Sequence, residues 1–224
     1  IMDISPLTAL NKIKHLNLDD NQVSQIPEGL SHVSVEHLSL DRNRIHDISK
    51  ISMFQRLEVL NLASNRIGDV SSLQTSRTLQ VLNLSQNEIS DISSLGSLEN
   101  LRELDLGHNR ITSLSALGNL RQLEHLHINH NQIGDLNPLS GSLELRELDL
   151  SGNVVNGIEP LATLESLWRL SLDGNPIESI KPLLNLSELE FISLRDVENL
   201  SCEITMQLVE EVGKEALIMD DYCL

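Results

Sequence analysis

Leucines and polar residues alternate along this chain in a pattern that returns every 22 positions. Between Leu79 and Ile92, aliphatic residues occupy positions 1, 4, 6, 11 and 14 of the unit. The ninth position is asparagine in eight successive units: Asn21, Asn43, Asn65, Asn87, Asn109, Asn131, Asn153 and Asn175. A fixed period of this length predicts an array of similar units that stack on one another.

Positions 4 and 6 of each unit predict a short β-strand. Leu82 and Leu84 lie two residues apart, the spacing of side chains on one face of a strand. One such strand cannot bury its apolar side alone, whereas parallel strands stacked about 4.8 Å apart share a continuous core. Positions 3, 5 and 7 then point outward in three columns, where their side chains are free to contact a partner.

The asparagine and the second half of each unit predict how the chain returns to the next strand. An amide side chain both donates and accepts hydrogen bonds, so asparagine can satisfy turn backbone of its own and the neighbouring coil. Aliphatic residues then follow at three-residue spacing, as in Ile111, Leu114 and Leu117. Together with prolines in this half, that spacing favours 3₁₀ or irregular turns over a long helix.

The 22-residue period divides the chain into three segments. Residues 1–12 form a partial N-terminal coil or cap, and residues 13–196 form nine repeats. The pattern ends near residue 197, and residues 197–224 form a C-terminal cap. Within the cap we predict a helix over about residues 202–214 and a short strand over about residues 216–219. Such a cap closes the exposed end of a repeat core.

The unit LxxLxLxxNxIxxIxxLxxLxx resembles the 22-residue leucine-rich repeat, over about residues 4–195. The segments Asp3–Leu7 and Ile89–Leu95 are similar to the ISDISPL phrasing of bacterial internalins, and the same repeat subclass includes a eukaryotic protein phosphatase regulatory subunit. The resemblance implies an α/β repeat solenoid: a right-handed superhelix with a parallel β-sheet on its concave face, 3₁₀ or irregular turns on its convex face, and a C-terminal helical cap. It specifies the fold strongly and the function weakly.

The outward columns contain three candidate contact groups. Val59 and Val81, with Ala63, form a modest apolar spot that is either a contact centre or a run of tolerated strand residues. A histidine and carboxylate cluster covers repeats five to seven. It consists of Glu103, Asp105, His108, Glu124, His125, His127, His130, Glu147 and Asp149. Of these, Glu103, Asp105, His125, His127, Glu147 and Asp149 are on the predicted concave face.

Two interpretations of this cluster stay open. Asp105, His127 and Asp149 line up in one column, and imidazole with carboxylate suits a transition metal. Their open setting without supporting partners makes this a weak candidate. A polar contact patch whose charge changes near pH 6 is favoured, because carboxylates raise the pKa of histidine.

The third candidate group lies near the C-terminal end of the predicted sheet. It consists of Trp168, Arg169, Phe191 and Arg195. Aromatic and arginine side chains are favoured anchors at protein interfaces. The alternative is that Trp168 and Phe191 pack against the cap.

Cys202 and Cys223 are the only cysteines, and both lie in the predicted cap. A bridge between them closes a loop of about 22 residues and stabilises the cap by about 3 kcal/mol. The alternative is two reduced thiols in a cytosolic protein. Two cysteines around one cap and none in the repeats favour the bridge, and hence an oxidising compartment.

The charge balance limits the kinds of partner that the chain is expected to bind. Asp and Glu number 33 against 16 Lys and Arg, a net charge of −17. This argues against nucleic acid and anionic membranes and permits another protein with a basic surface. The sequence has no apolar run long enough to insert in a membrane and no recognisable signal peptide. We expect a monomer.

The sequence motifs favour some classes of function and disfavour others. The sequence lacks a nucleophile–base pair, a phosphate-cradling glycine loop and an HExxH-type motif, so we expect no enzyme and no cofactor. The leading hypothesis, from the resemblance to internalins, is a protein-binding module that uses its concave face and is secreted or attached to the bacterial cell surface. The alternatives are a cytoplasmic regulatory scaffold that binds a phosphatase or other enzyme, and a structural spacer in a larger adhesin-like protein.

Overall fold

A computed structural model of the chain describes residues 1–10, 12–32, 34–198, 200–213 and 216–219. Within these residues, ten short strands form one open parallel sheet whose spatial order is the chain order. The strands are β1 (His15–Asn17), β2 (His37–Ser39), β3 (Val59–Asn61), β4 (Val81–Asn83), β5 (Glu103–Asp105), β6 (His125–His127), β7 (Glu147–Asp149), β8 (Arg169–Ser171), β9 (Phe191–Leu194) and β10 (Leu217–Met219). The sheet confirms the predicted leucine-rich-repeat solenoid.

Strand register follows the 22-residue period. Leu82 of β4 pairs with Leu104 of β5, and Leu104 pairs with Leu126 of β6. These inward leucines are at most 2% exposed and belong to one continuous apolar cluster along the chain. Because strands β2 to β8 each bury only one side chain, they are stabilised by stacking with their neighbours and not within one unit.

The return half of each unit contains a short 3₁₀ helix, as the three-residue spacing predicts. The segments are Ser5–Ala9, Glu28–His32, Ser49–Met53, Ser71–Thr75, Ser93–Ser97, Ser115–Asn119, Asn137–Leu139, Glu159–Thr163 and Lys181–Asn185. Four of them carry proline in the first two positions, where no backbone donor is lost.

An aspartate precedes several of these 3₁₀ helices and holds their first turn. Oδ1 of Asp91 accepts a 2.8 Å hydrogen bond from the backbone N–H of Ser93. Asp47 and Asp69 make the same contact at 2.8 Å with the residue two positions on. This backbone hydrogen bond lowers the pKa of the three carboxyls below the ordinary value. The internalin-like Asp-aliphatic-Ser phrase is thus a turn with a charged cap.

The asparagines at position 9 link successive coils. Nδ2 of Asn87 donates to the carbonyls of Leu84 and Ser85 in its own turn and to that of Leu62 in the preceding coil. Its Oδ1 accepts from the backbone N–H of Ile67, also in the preceding coil, at 2.9 Å. The same set of bonds occurs at Asn43, Asn65, Asn109, Asn131, Asn153 and Asn175. The first asparagine, Asn21, donates within its own turn.

The C-terminal cap combines a helix with the last strand. Helix α1 (Cys202–Val212) buries Leu208 completely, and it ends at Gly213, whose φ of +88° suits glycine. Ser201 stands at the cap position but makes no side-chain capping bond. Strand β10 then joins β9 in parallel, so the cap extends the sheet. The predicted Cys202–Cys223 bridge stays a prediction, because Cys223 lies outside the described residues.

Candidate protein-binding face

Two columns of side chains line the concave face of the sheet. The first consists of His15, His37, Val59, Val81, Glu103, His125, Glu147, Arg169 and Phe191. The second consists of Asn17, Ser39, Asn61, Asn83, Asp105, His127, Asp149, Ser171, Ser193 and Ile218. Apart from buried Ser193, these residues are half-buried or exposed. Most of them are therefore available for contact.

The third outward column is only partly exposed, and the predicted apolar spot is smaller than expected. Strands β1 to β8 end at position 5, so position 7 lies in the turn that leads inward. There Ala63 is 7% exposed and Asp41 is 9% exposed. The inclusion of Ala63 in an exposed spot was wrong. Val59 and Val81 are register partners and half-buried, so two neighbouring valines form the spot.

The structure brings the histidine and carboxylate cluster together around Glu147. Its Oε2 lies 3.5 Å from Nδ1 of His125 and 3.9 Å from Nε2 of His127. Glu103 pairs in register with His125 on the other side. One carboxylate on β7 thus faces two imidazoles on β6 in a polar patch.

The weak metal candidate does not assemble. Asp105, His127 and Asp149 are register neighbours, as predicted. However, Oδ1 of Asp105 accepts the N–H of Gly107, and Oδ1 of Asp149 accepts the N–H and hydroxyl of Ser151. Across the described parts of the chain, no three His, Cys, Asp or Glu side chains are grouped to hold a metal ion. We do not propose a metal site.

A depression of about 470 Å³ occupies the C-terminal end of the concave face. The guanidinium of Arg169 stacks over the ring of Phe191, with 4.5 Å from Cζ to the ring centroid. Arg195 lies on its rim and Ile218 of β10 contributes an apolar wall. Three of the four predicted residues therefore meet at one site. Trp168 is half-buried and lies one residue before β8, outside the depression.

The sequence interpretation missed a ridge along one edge of the sheet at position 8. The backbone there is left-handed in nine successive coils, at Asp20, Arg42, Ser64, Gln86, His108, His130, Gly152, Gly174 and Asp196. The rings of His108 and His130 stack with centroids 4.3 Å apart. A signal was present, because position 8 is polar or glycine in every unit, which is typical of left-handed backbone.

Comparison with known proteins identifies the class. A family model of two leucine-rich repeats matches residues 33–75, 77–119, 99–141 and 121–166, and a single-repeat model matches residues 12–33. The chain belongs to the leucine-rich repeat family. No curated protein matches it significantly.

Solved structures place it near the internalins. Internalin C2 of Listeria monocytogenes is 32% identical with a TM-score of 0.79, and the match covers 84% of this chain and 81% of that one. An internalin encoded by inlF in the same species is 27% identical with a TM-score of 0.83, over 99% and 73%. A leucine-rich-repeat protein of Leptospira interrogans is 25% identical with a TM-score of 0.89, over 98% and 57%. The chain thus resembles the internalin-like class of protein-binding repeat modules.

The described helices include none that is long and apolar enough to cross a bilayer.

Proposed function

We propose that this chain is a bacterial protein-recognition module, exported to the cell surface or the medium, whose concave face holds the partner. The observation that carries the proposal is the depression under Arg169 and Phe191. An exposed arginine stacked on a half-buried aromatic ring, beside an apolar wall, is the kind of anchor that dominates protein interfaces. The core beneath is already filled by leucines, so these side chains have no packing role there.

The rigidity of the scaffold supports the same function. The concave side chains stand on strands, and each strand is tied to its neighbours by backbone bonds and by the asparagine ladder. A surface ordered before binding loses little conformational entropy when the partner arrives. The same geometry would suit a structural spacer if the concave side chains bound no partner. The experiment must therefore distinguish a binding module from a spacer.

Position-specific photocrosslinking tests the concave face. A photoreactive amino acid is placed at Val81 on the concave face or, as the matched control, at Leu143, which is 57% exposed on the convex side. Variants are incubated with extracts of host and bacterial surfaces. We expect Val81 to yield a discrete adduct that unlabelled protein displaces and that Phe191→Ala weakens, and Leu143 to yield none.

Two results contradict the proposal. Equal crosslinking from Leu143 would place the partner on the convex side. Equal adducts after alanine replacement of Val59, Val81 and Phe191, with the crosslinker moved to His127, would make the concave side chains inert, as in a spacer.

Export is tested separately through the cysteines. The proposal predicts a Cys202–Cys223 bridge, because disulfides form and persist in an oxidising compartment. Native protein purified from the exporting organism should show no reactive thiol until it is reduced. Two titratable thiols in the native protein would favour the cytoplasmic scaffold instead.

A further inference from the structure

The depression at the C-terminal end of the concave face contains both acidic and basic groups. Its acids accept hydrogen bonds or face histidines, whereas its arginines form no ion pair with the described residues. Oδ2 of Asp173 accepts the hydroxyl of Ser193 at 2.9 Å, and Oδ1 accepts the backbone N–H of Arg195 at 2.8 Å. Both oxygens of this carboxylate are therefore occupied within the chain.

The other two carboxylates in the wall are also engaged. Oδ1 of Asp149 accepts the N–H of Ser151 at 2.9 Å and its hydroxyl at 2.6 Å. Oε2 of Glu147 faces the imidazoles of His125 and His127. Glu147 thus faces the histidine side of the depression, and Asp149 faces its own turn.

Some cations of the chain are held by acids, whereas the two arginines of the depression are not. Arg42, Arg102 and Arg110 each form an ion pair with an acid on a neighbouring coil. Among the residues that the structure describes, the guanidiniums of Arg169 and Arg195 donate to no carboxylate, although both line a depression with three carboxylates in its wall. Both arginines are exposed, so their guanidiniums are accessible to a partner.

The stacking contact prepares Arg169 for an anion. Its guanidinium lies over the Phe191 ring, which shields one face and leaves the N–H edges open. Guanidinium edges bind carboxylates through two parallel hydrogen bonds, and a stacked guanidinium loses less entropy when it does so. Phe191 and Ile218 supply apolar surface beside it.

Resting on the proposed function, we propose that this depression receives an acidic side chain, Asp or Glu, of the partner protein, with an apolar residue next to it in the partner's sequence. Arg169 and Arg195 bind the carboxylate, and Phe191 and Ile218 cover the apolar neighbour. Hydrogen-bond complementarity carries this assignment, because the two guanidiniums of the depression donate to no carboxylate of the described residues, whereas its carboxylates already accept hydrogen bonds or face histidines. The partner segment then runs from this anchor toward the acidic side of the face, over β5 to β7, where basic groups fit.

Defined peptides test the assignment without the natural partner. The probe is a peptide with acetylated and amidated ends and the central sequence Phe-Glu-Phe-Glu, titrated into the whole chain and followed by NMR at arginine Nε–H and backbone amide signals. A second peptide replaces both glutamates by glutamine. A third keeps those glutamines but has a free terminal carboxylate, which separates a side-chain source from a chain-end source.

We expect the glutamate peptide to shift signals of Arg169, Arg195 and Ile218, and to bind about tenfold or more tightly than the other two peptides. Arg169→Gln with Arg195→Gln should weaken it by a similar factor. The matched control, Arg77→Gln with Arg121→Gln, removes two exposed arginines outside the depression and should leave the affinity unchanged.

Three outcomes overturn the inference: no binding of the glutamate peptide, equal binding by the Arg169→Gln/Arg195→Gln variant, or tighter binding of the peptide with the free chain end. None of these outcomes contradicts the proposal that the concave face recognises a protein. If photocrosslinking from Val81 persists in the Arg169→Gln/Arg195→Gln variant at wild-type yield, concave recognition stands and the carboxylate anchor is wrong. If crosslinking fails at every concave position while the peptide still binds, concave recognition of that partner is wrong.

Discussion

Oδ1 of Asn109 accepts a 3.0 Å hydrogen bond from the backbone N–H of Ile89, a residue of the preceding coil. Its Nδ2 donates at 3.0 Å to the carbonyl of Leu84, also in that coil, and to Leu106 in its own turn. One amide thus joins two coils at a point where the backbone turns into the core and cannot reach a strand partner.

Replacing Asn109 with Leu should therefore destabilise the fold. The substitution leaves one N–H and several carbonyls of the turn without partners while adding apolar volume. We expect the free energy of unfolding to fall by about 3 kcal/mol or more, since each unsatisfied buried group costs about 1–3 kcal/mol. Urea denaturation followed by circular dichroism measures the change.

Asn119→Leu is the matched control, because that asparagine is exposed and makes no side-chain hydrogen bond with the described residues. It should change stability by less than about 0.5 kcal/mol. An Asn109→Leu protein as stable as the control would refute the role assigned to the asparagine ladder.

The capping aspartates predict an acid-dependent loss of stability. Backbone hydrogen bonds lower the folded-state pKa of Asp47, Asp69 and Asp91 below the unfolded value of about 3.9. A lowered pKa means that the stabilisation is complete above the unfolded value and disappears as the pH falls through the folded values. The triple Asp→Asn variant keeps an acceptor at each turn but has no charge to titrate. We expect it to lose less stability than wild type between pH 6 and pH 3, measured by urea midpoints.

Three exposed glutamates give a charge-matched control for this experiment. Glu99, Glu144 and Glu165 accept no side-chain hydrogen bond from the described residues. Their joint replacement by glutamine should leave the acid-dependent loss as it is in wild type. If both triple variants flatten the pH profile equally, the effect comes from total charge and not from the turn caps.

The fold was predictable because each coil repeats the same sequence pattern. The leucine pair at positions 4 and 6, as in Leu82 and Leu84, specifies a strand, and the asparagine at position 9 specifies a turn that must be satisfied by its neighbour. Nine aliphatic pairs and eight asparagines repeat this signal, so an irregular unit does not change the phase. Strand β10 was harder, because its parallel pairing with β9 depends on how α1 packs and leaves no 22-residue signature.

The candidate site was predictable only as far as register allows. The 22-residue period placed Glu147 beside His125 and Arg169 beside Phe191. It could not place side chains in the turn, so Ala63 was wrongly assigned to the surface. It also could not distinguish carboxylates with internal donors, such as Asp173, from cations without an acid partner, since that depends on side-chain rotamers.

A substitution at Ser76 is predicted to stabilise the fold, in contrast to Asn109→Leu. It occupies a position that holds leucine or phenylalanine in most units, and it is 4% exposed. Among the described residues its Oγ is the buried side-chain oxygen or nitrogen that lacks a hydrogen-bond partner. Ser76→Ala removes that group and should stabilise the fold by about 1 kcal/mol. Ser142→Ala, at the equivalent position three coils later, should gain less, and a loss of stability at Ser76 would contradict this account.

Gly152 tests the strain along the position-8 ridge. Its φ is +65°, and a Cβ built there would lie 2.6 Å from Nδ1 of His130. Gly152→Ala should cost about 1–2 kcal/mol, part from left-handed backbone and part from the ring contact. A double-mutant cycle with His130→Ala separates the two, since the second substitution recovers only the contact. Complete recovery would show that the left-handed backbone carries no cost at this position.

The C-terminal cap should protect the last coils and leave the distant ones unaffected. Leu208 of α1 is fully buried, and the N–H of Ile192 in β9 donates to the carbonyl of Ala216 at 2.8 Å. Leu208→Ala loosens the cap by about 2–5 kcal/mol, and in a repeat array such a loss spreads mainly to nearest neighbours. We expect faster hydrogen exchange at Ile192, whereas the N–H of Leu84, which donates to Asp105 at 2.8 Å, keeps its rate. Met206→Ala, on the exposed side of α1, should change neither. Equal acceleration at Leu84 would mean that the solenoid opens as one unit and that the cap holds the whole chain.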